Sequence, residues 1–424
     1  MNDHVTPSAA PDRQSLPLRK LMLLVFLPFA SGYFLSFLFR SVNAVISGDL
    51  QADVGLSAAQ LGLMTSAYFL AFASFQLPLG VLLDRYGARR VNAALLLVAA
   101  VGSALFAIGQ GMGGLTLGRA FIGLGVSACL MASFKAFVDW FPPQRLPLVN
   151  GWLLAFGGVG AMVATAPVER MVAFTGWRPV FLVLAAASVV SALLIWRFVP
   201  ERRTDEAQPR ATVRAQVAAL GSIFRSDAFW RAAPIALVSQ GASLAVGGLW
   251  AAPWLRDVAG FERAEIGQSL LLFALAITLG FAGWGTIAER LSLAGISQRS
   301  VASFGIGVTA VLMILIGLQL PLPVIPLWVA FSFFATSGTL MYALLTQRFA
   351  GGLAGRVNTA LNLMVFIGAF GMQWGIGLVV QFWEFPDGSG YDPLGYKVAL
   401  LLIGALQVLA FLWYIRPAGR RGEP

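Results

Sequence analysis

The sequence predicts an all-α integral membrane protein, with twelve transmembrane helices in two pseudo-symmetric six-helix bundles. Three observations carry this. Of the 424 residues, 58% are hydrophobic and only 11% charged, with a mean hydropathy of +0.78; soluble domains do not show this balance. The apolar runs are long enough to cross a bilayer, which takes about 20 residues. The chain also repeats itself at an offset of 205: Gly55 maps to Gly260, Gln60-Leu61-Gly62 to Glu265-Ile266-Gly267, Gly80 to Gly285, and Asp84-Arg85 to Glu289-Arg290. Glycines alone match by chance often enough. An acid–arginine pair at the matching turn points to duplicated bundles.

In chain order, residues 1–20 are a polar, proline-containing tail. The first apolar run is too long for a signal peptide and no small-residue cleavage site follows it, so it reads as the first span. Spans are expected at 21–46, 57–82, 90–110, 115–141, 147–170 and 179–198, forming a first bundle over 21–200. Residues 201–231 are the one long polar segment, rich in arginine, and read as a linker. Spans at 232–255, 264–287, 301–320, 323–347, 356–382 and 396–415 form the second bundle over 232–415, and 416–424 is a short tail.

Lysine and arginine placement sets the orientation. With the N-terminus inside, 21 of the 29 basic residues fall in interior segments and 5 in exterior loops; Arg40, Arg119 and Lys135 remain within spans. Both termini and the linker are therefore expected in the cytoplasm, and the protein in a plasma membrane, the inner membrane of a bacterium.

The net charge of +10 does not indicate nucleic acid, because the bases sit in short loops and tails and not on one amphipathic face. Cys129 is the sole cysteine and His4, in the tail, the sole histidine. No intrachain disulfide, thiolate cluster or histidine metal site is expected, and no cofactor. No intramembrane carboxylate pair or Ser/His set suits catalysis, so an enzyme is not expected. A monomer in the lipid bilayer is.

The stretch Gly80-Val81-Leu82-Leu83-Asp84-Arg85-Tyr86-Gly87-Ala88-Arg89-Arg90 sits between two apolar runs without charge. It closely resembles the signature loop of the major facilitator superfamily. Where that family usually has a base after the second glycine, this chain has Ala88. Arg119-Ala-Phe-Ile-Gly123-Leu-Gly125 resembles the family's R-x-x-x-G-x-G, and Gly176-Trp177-Arg178 and Pro200-Glu201-Arg202 flank the sixth span as is common there. Arg40-Ser-Val-Asn43 is loosely similar to the D-R-x-N of the family's organic-anion branch, with Phe39 in place of the aspartate and one extra residue before the asparagine. Drug antiporters of the superfamily carry a glycine–proline pair in span five; Ala164 and Thr165 stand there in this chain. The resemblance implies alternating access, with the first, fourth, seventh and tenth spans lining a central site.

Charges inside a membrane need a partner or a use. Arg40 reads as a fixed cation that binds an anionic group by forked hydrogen bonds; the competing reading is snorkelling outward near Asp49. Asn43 lies beside it in sequence. Lys135 reads either as a substrate contact or as a partner of Asp139 one turn later. Asp139 alternatively serves the inward gate with Arg85 and Arg89. Arg119 reads as structural. Gln240, Trp250, Tyr342, Asn358, Asn362 and Gln373 are the neutral candidates of the second half; Gln240 and Tyr342 rank above the span-eleven amides Asn358, Asn362 and Gln373, for which interhelical hydrogen bonding is the competing reading. Gly80, Asp84, Arg85, Gly87, Arg89, Glu289 and Arg290 form the two gating turns, with Asp84 and Glu289 expected to cap facing helix starts across the interface.

The in-span charge of +3, with no acid near a span centre, favours a small organic anion carried by a secondary transporter. The coupling ion, the direction of flux and the solute stay open. Export of amphipathic or drug-like compounds is the alternative within transport. A non-transporting receptor or scaffold is the alternative of another class, disfavoured by the paired gating turns.

Overall fold

A computed structural model describes residues 17–200, 221–349, 353–385 and 390–416. Most of the expected linker, 201–220, lies outside the described residues, as do 1–16 and 417–424. Among the described residues, twelve helices are long and apolar enough to span a membrane. The first runs Leu18–Val54, well past the expected end at 46. The second and third form one helical path, Ala58–Ile108, broken at Gly87 by φ 79 and ψ 159. The others are Met112–Trp140, Leu148–Thr175, Trp177–Phe198, Asp227–Asp257, Arg263–Leu293, Gln298–Leu318, Val324–Thr346, Gly355–Trp383 and Pro393–Ile415.

The internal repeat extends to backbone geometry. Gly55 caps the first span at φ 69, and Gly260 stands just beyond the end of the seventh at φ 70. A side chain disfavours that conformation, which explains glycine at both places. Each is followed by a capping box. Ser57 accepts from the Gln60 N–H while Gln60 reaches back, and Glu262 with Glu265 does the same. These boxes start the second and eighth spans at equivalent positions. The match loosens at the opposite end, where the second-half reversal falls at Gly295 (φ 86).

The fifth span breaks where the antiporter pair is missing. Helices Leu146–Val163 and Ala166–Thr175 flank Thr165, which leaves helical space at φ −99 and ψ −119. Pro167 lacks the N–H that would continue the ladder. The seventh span carries π-helical turns at Ala236–Gln240 and Val246–Trp250, a distortion that often marks functional sites.

A series of contacts joins the two bundles from mid-span to the end opposite the linker, the far end. The innermost is Phe72 stacked on Phe366, 4.1 Å apart. Gln373 Nε2 then donates to Thr65 Oγ1 at 2.7 Å. At the rim, Ser57 Oγ and the Ala59 N–H donate to Gln381 Oε1, and Gln51 Nε2 donates to the Tyr391 hydroxyl at 3.1 Å. Burial, and then the Glu384 carboxylate, hold the Tyr391 phenol above its ordinary pKa, so it stays protonated in this seam.

Candidate functional site

Three sites emerge along the path between the bundles. At the linker end lies the signature turn. Asp84 accepts a hydrogen bond from Lys135 Nζ at 2.6 Å. Arg89 donates to the Trp196 carbonyl and packs on its ring, 5.3 Å from the centroid. Arg85 stacks on Tyr86 at 5.3 Å. The turn is thus fastened to the fourth and sixth spans of its own bundle. This differs from the expected cap across the interface. Lys135 lies against Asp84 from the neighbouring span, which a pairing one turn along its own helix did not anticipate. Asp139 is half-buried one turn beyond Lys135, while Gly80, Glu289 and Arg290 are exposed.

At mid-span the two arginines part company. Arg119 is 1% exposed. Its Nη1 donates to the Phe39 carbonyl at 3.1 Å. The Asn43 oxygen accepts from its Nε and Nη2 at 3.2 and 2.8 Å once that amide faces it. Tyr68 and Phe106 cover it at 5.0 and 5.9 Å. Asn43 is therefore spent on Arg119. Arg40 is different. It forms no hydrogen bond among the described residues, and its Nε is buried without a partner. Its guanidinium carbon lies 4.7 Å from the Phe37 ring centre, 5.8 Å from Phe72 and 5.4 Å from Phe366 of the second bundle. Asp49, the expected snorkelling partner, is bonded elsewhere.

The neutral candidates of the second bundle are hydrogen-bonded within that bundle. Gln240 Nε2 donates to the Gly338 carbonyl at 3.0 Å. The Tyr342 hydroxyl donates to Asn362 Oδ1 at 3.1 Å. Trp250 is buried, its N–H given to the Gln373 carbonyl at 2.8 Å. Both π-helical turns of the seventh span end on expected site residues, Gln240 and Trp250.

At the far end, Arg263 grips two acids of the other bundle. Its Nη1 and Nη2 each donate to an Asp49 carboxylate oxygen at 3.0 Å, and its Nε donates to Glu169 at 3.0 Å. These residues, with Arg256, Gly48 and Pro253, line a cavity of about 200 Å3. Sequence reasoning counted Arg263 only as an exterior loop charge. The missed signal was its place at the start of the eighth span, opposite two acids that end spans of the first bundle. Phe72 and Phe366, which other spans bring to Arg40, were missed because an aromatic in a span carries no mark of what it faces.

The profile of the Major Facilitator Superfamily matches residues 29–372. A probable sulfoacetate transporter SauU from Cupriavidus necator is 24% identical over 398 residues, covering 89% of this chain and 90% of its own. A putative tartrate transporter from Agrobacterium vitis is 24% identical over 430 residues, covering 94% and 92%. A hexuronate transporter from Escherichia coli K12 is 27% identical over 266 residues, covering 59% and 61%. Among solved structures, a bacterial homologue of the human lysosomal transporter Spinster superposes with a TM-score of 0.76 at 18% identity, covering 94% of this chain and 97% of that one. A D-xylose–proton symporter gives 0.69 at 14%, covering 93% and 97%.

Proposed function

Because this chain belongs to the Major Facilitator Superfamily, we propose that it is a secondary transporter that carries a small organic anion by alternating access, with Arg40 as the anion's anchor. One observation carries the anchor: Arg40 is a mid-span cation at the meeting of the bundles with no hydrogen bond of its own among the described residues. An unpaired cation there is costly, and a carboxylate or sulfonate would neutralise it through a two-point contact. The relatives' names, sulfoacetate, tartrate and hexuronate, support the same charge class.

The test is binding by purified variants. Arg40→Lys should weaken binding, since one ammonium cannot reproduce the fork. Arg40→Gln should weaken it further, by about 2–5 kcal/mol, the range for truncating a buried charge pair. A ligand that binds Arg40→Gln as tightly as the parent, or a cationic ligand, would sink the reading.

The bias of 21 interior bases against 5 exterior supports a cytoplasmic linker and cytoplasmic termini. On that orientation the far-end seam is the closed outer gate. An impermeant thiol reagent should fail to label Thr204→Cys from outside intact cells; labelling there would reverse the orientation.

A further inference from the structure

We propose that the solute held at Arg40 is an anion with an apolar body, an aryl or short-chain carboxylate or sulfonate, in preference to a polyhydroxylated sugar acid; this rests on the anion reading of the same site. Beyond the guanidinium, an incoming anion meets aromatic surface. Phe37 of the first span, Phe72 of the second and Phe366 of the eleventh surround it at 4.7, 5.8 and 5.4 Å. Phe72 and Phe366 lie nearly parallel, with an interplanar angle of 16°. These rings do not neutralise the cation. They lower the local dielectric, which strengthens its pull on an anionic group.

Each polar group that could read a sugar hydroxyl already spends a hydrogen bond within the protein. Gln240 donates to the Gly338 carbonyl, Tyr342 to Asn362, and Trp250 to the Gln373 carbonyl. Asn358 accepts from Thr346 at 2.7 Å, and Asn43 is taken by Arg119. Gln373 Oε1 has no donor, but it has almost no accessible surface. A sugar hydroxyl set against Phe37, Phe72 or Phe366 would lose water with no partner to replace it. A phenyl ring or short alkyl chain would instead gain contact with the three rings. Discrimination thus comes from what the site withholds as much as from what it offers.

The experiment is calorimetric titration of the purified full-length protein with phenylacetate, glucuronate and galactonate. Phenylacetate should bind at least about tenfold more tightly than either sugar acid. Phe366→Leu and Phe37→Leu should each weaken phenylacetate and narrow that ratio. Phe37 lies outside the stacked seam, so its variant keeps the test open if Phe366→Leu does not fold. Glucuronate or galactonate binding as tightly as phenylacetate, and lost in Arg40→Gln, would overturn the apolar body while leaving the anion reading intact. Phenylacetate binding undiminished in Arg40→Gln would overturn the anion reading itself. No detectable binding of phenylacetate by the parent would also overturn the proposal.

Discussion

Arg40 and Arg119 are the same residue type in the same bundle, and their surroundings give them opposite duties. Arg119 is sealed in and hydrogen-bonded to Phe39 and Asn43. Removing it leaves the buried Asn43 side-chain oxygen unpaired, at about 1–3 kcal/mol. Arg119→Leu should therefore lower the melting temperature and the yield of folded protein, whereas Arg40→Gln should leave the melting temperature unchanged or raise it. Thermal denaturation in detergent measures both; equal destabilisation would put Arg40 in a structural role. The Lys135–Asp84 pair is 30% and 60% exposed, so it contributes at most about 1 kcal/mol to stability. Asp84→Asn should then fold and insert normally but turn over more slowly, as measured by transport at matched expression. Parental turnover would remove the signature turn from the gating cycle.

At the scale of the helix, glycine sets how closely spans approach, because lipid gives helices no hydrophobic drive to associate. A Cβ on Gly377 would run into the Ala58 carbonyl oxygen, across the seam between the eleventh and second spans. Backbone cannot swing aside as a flexible side chain can. Gly377→Val should therefore wedge the far end open without touching the path at Arg40. A cysteine placed at Thr65, which faces this seam through Gln373, should become more reactive to a water-soluble thiol reagent in that variant. Unchanged reactivity would mean that the seam relaxes by another route.

Across the whole molecule, one arginine serving two acids is among the contacts that hold the far end. Arg263 ties Asp49 and Glu169 of the first bundle to the start of the eighth span. It is 46% exposed, so its worth is modest, but an alternating carrier needs only a modest bias: each 1.4 kcal/mol moves the two-state ratio about tenfold. Arg263→Gln should shift the population toward a state open at the far end. Spin labels at the exposed positions Ala52 and Ala264, one in each bundle, should report a longer distance in that variant. An identical distance distribution would place the gate elsewhere, in the Gln51–Tyr391 and Ser57–Gln381 contacts.

The sequence by itself determined the membrane class, the twelve spans and the duplication. These depend on hydropathy, loop charge and residues such as Gly55 and Gly260, whose backbone geometry is local and needs no partner. It also marked Arg40 as a cation in want of a use, since the cost of a charge in a membrane does not depend on its neighbours' identity. Only the tertiary structure decided which partners the charges took. Asp84 went to Lys135, Asn43 to Arg119, and Asp49 to Arg263. Each of these pairs joins different spans, and sequence patterns register contacts along one helix but not between helices. For the same reason, the ring of phenylalanines that turns Arg40 from a lone cation into a shaped site appears only after the first, second and eleventh spans are brought together.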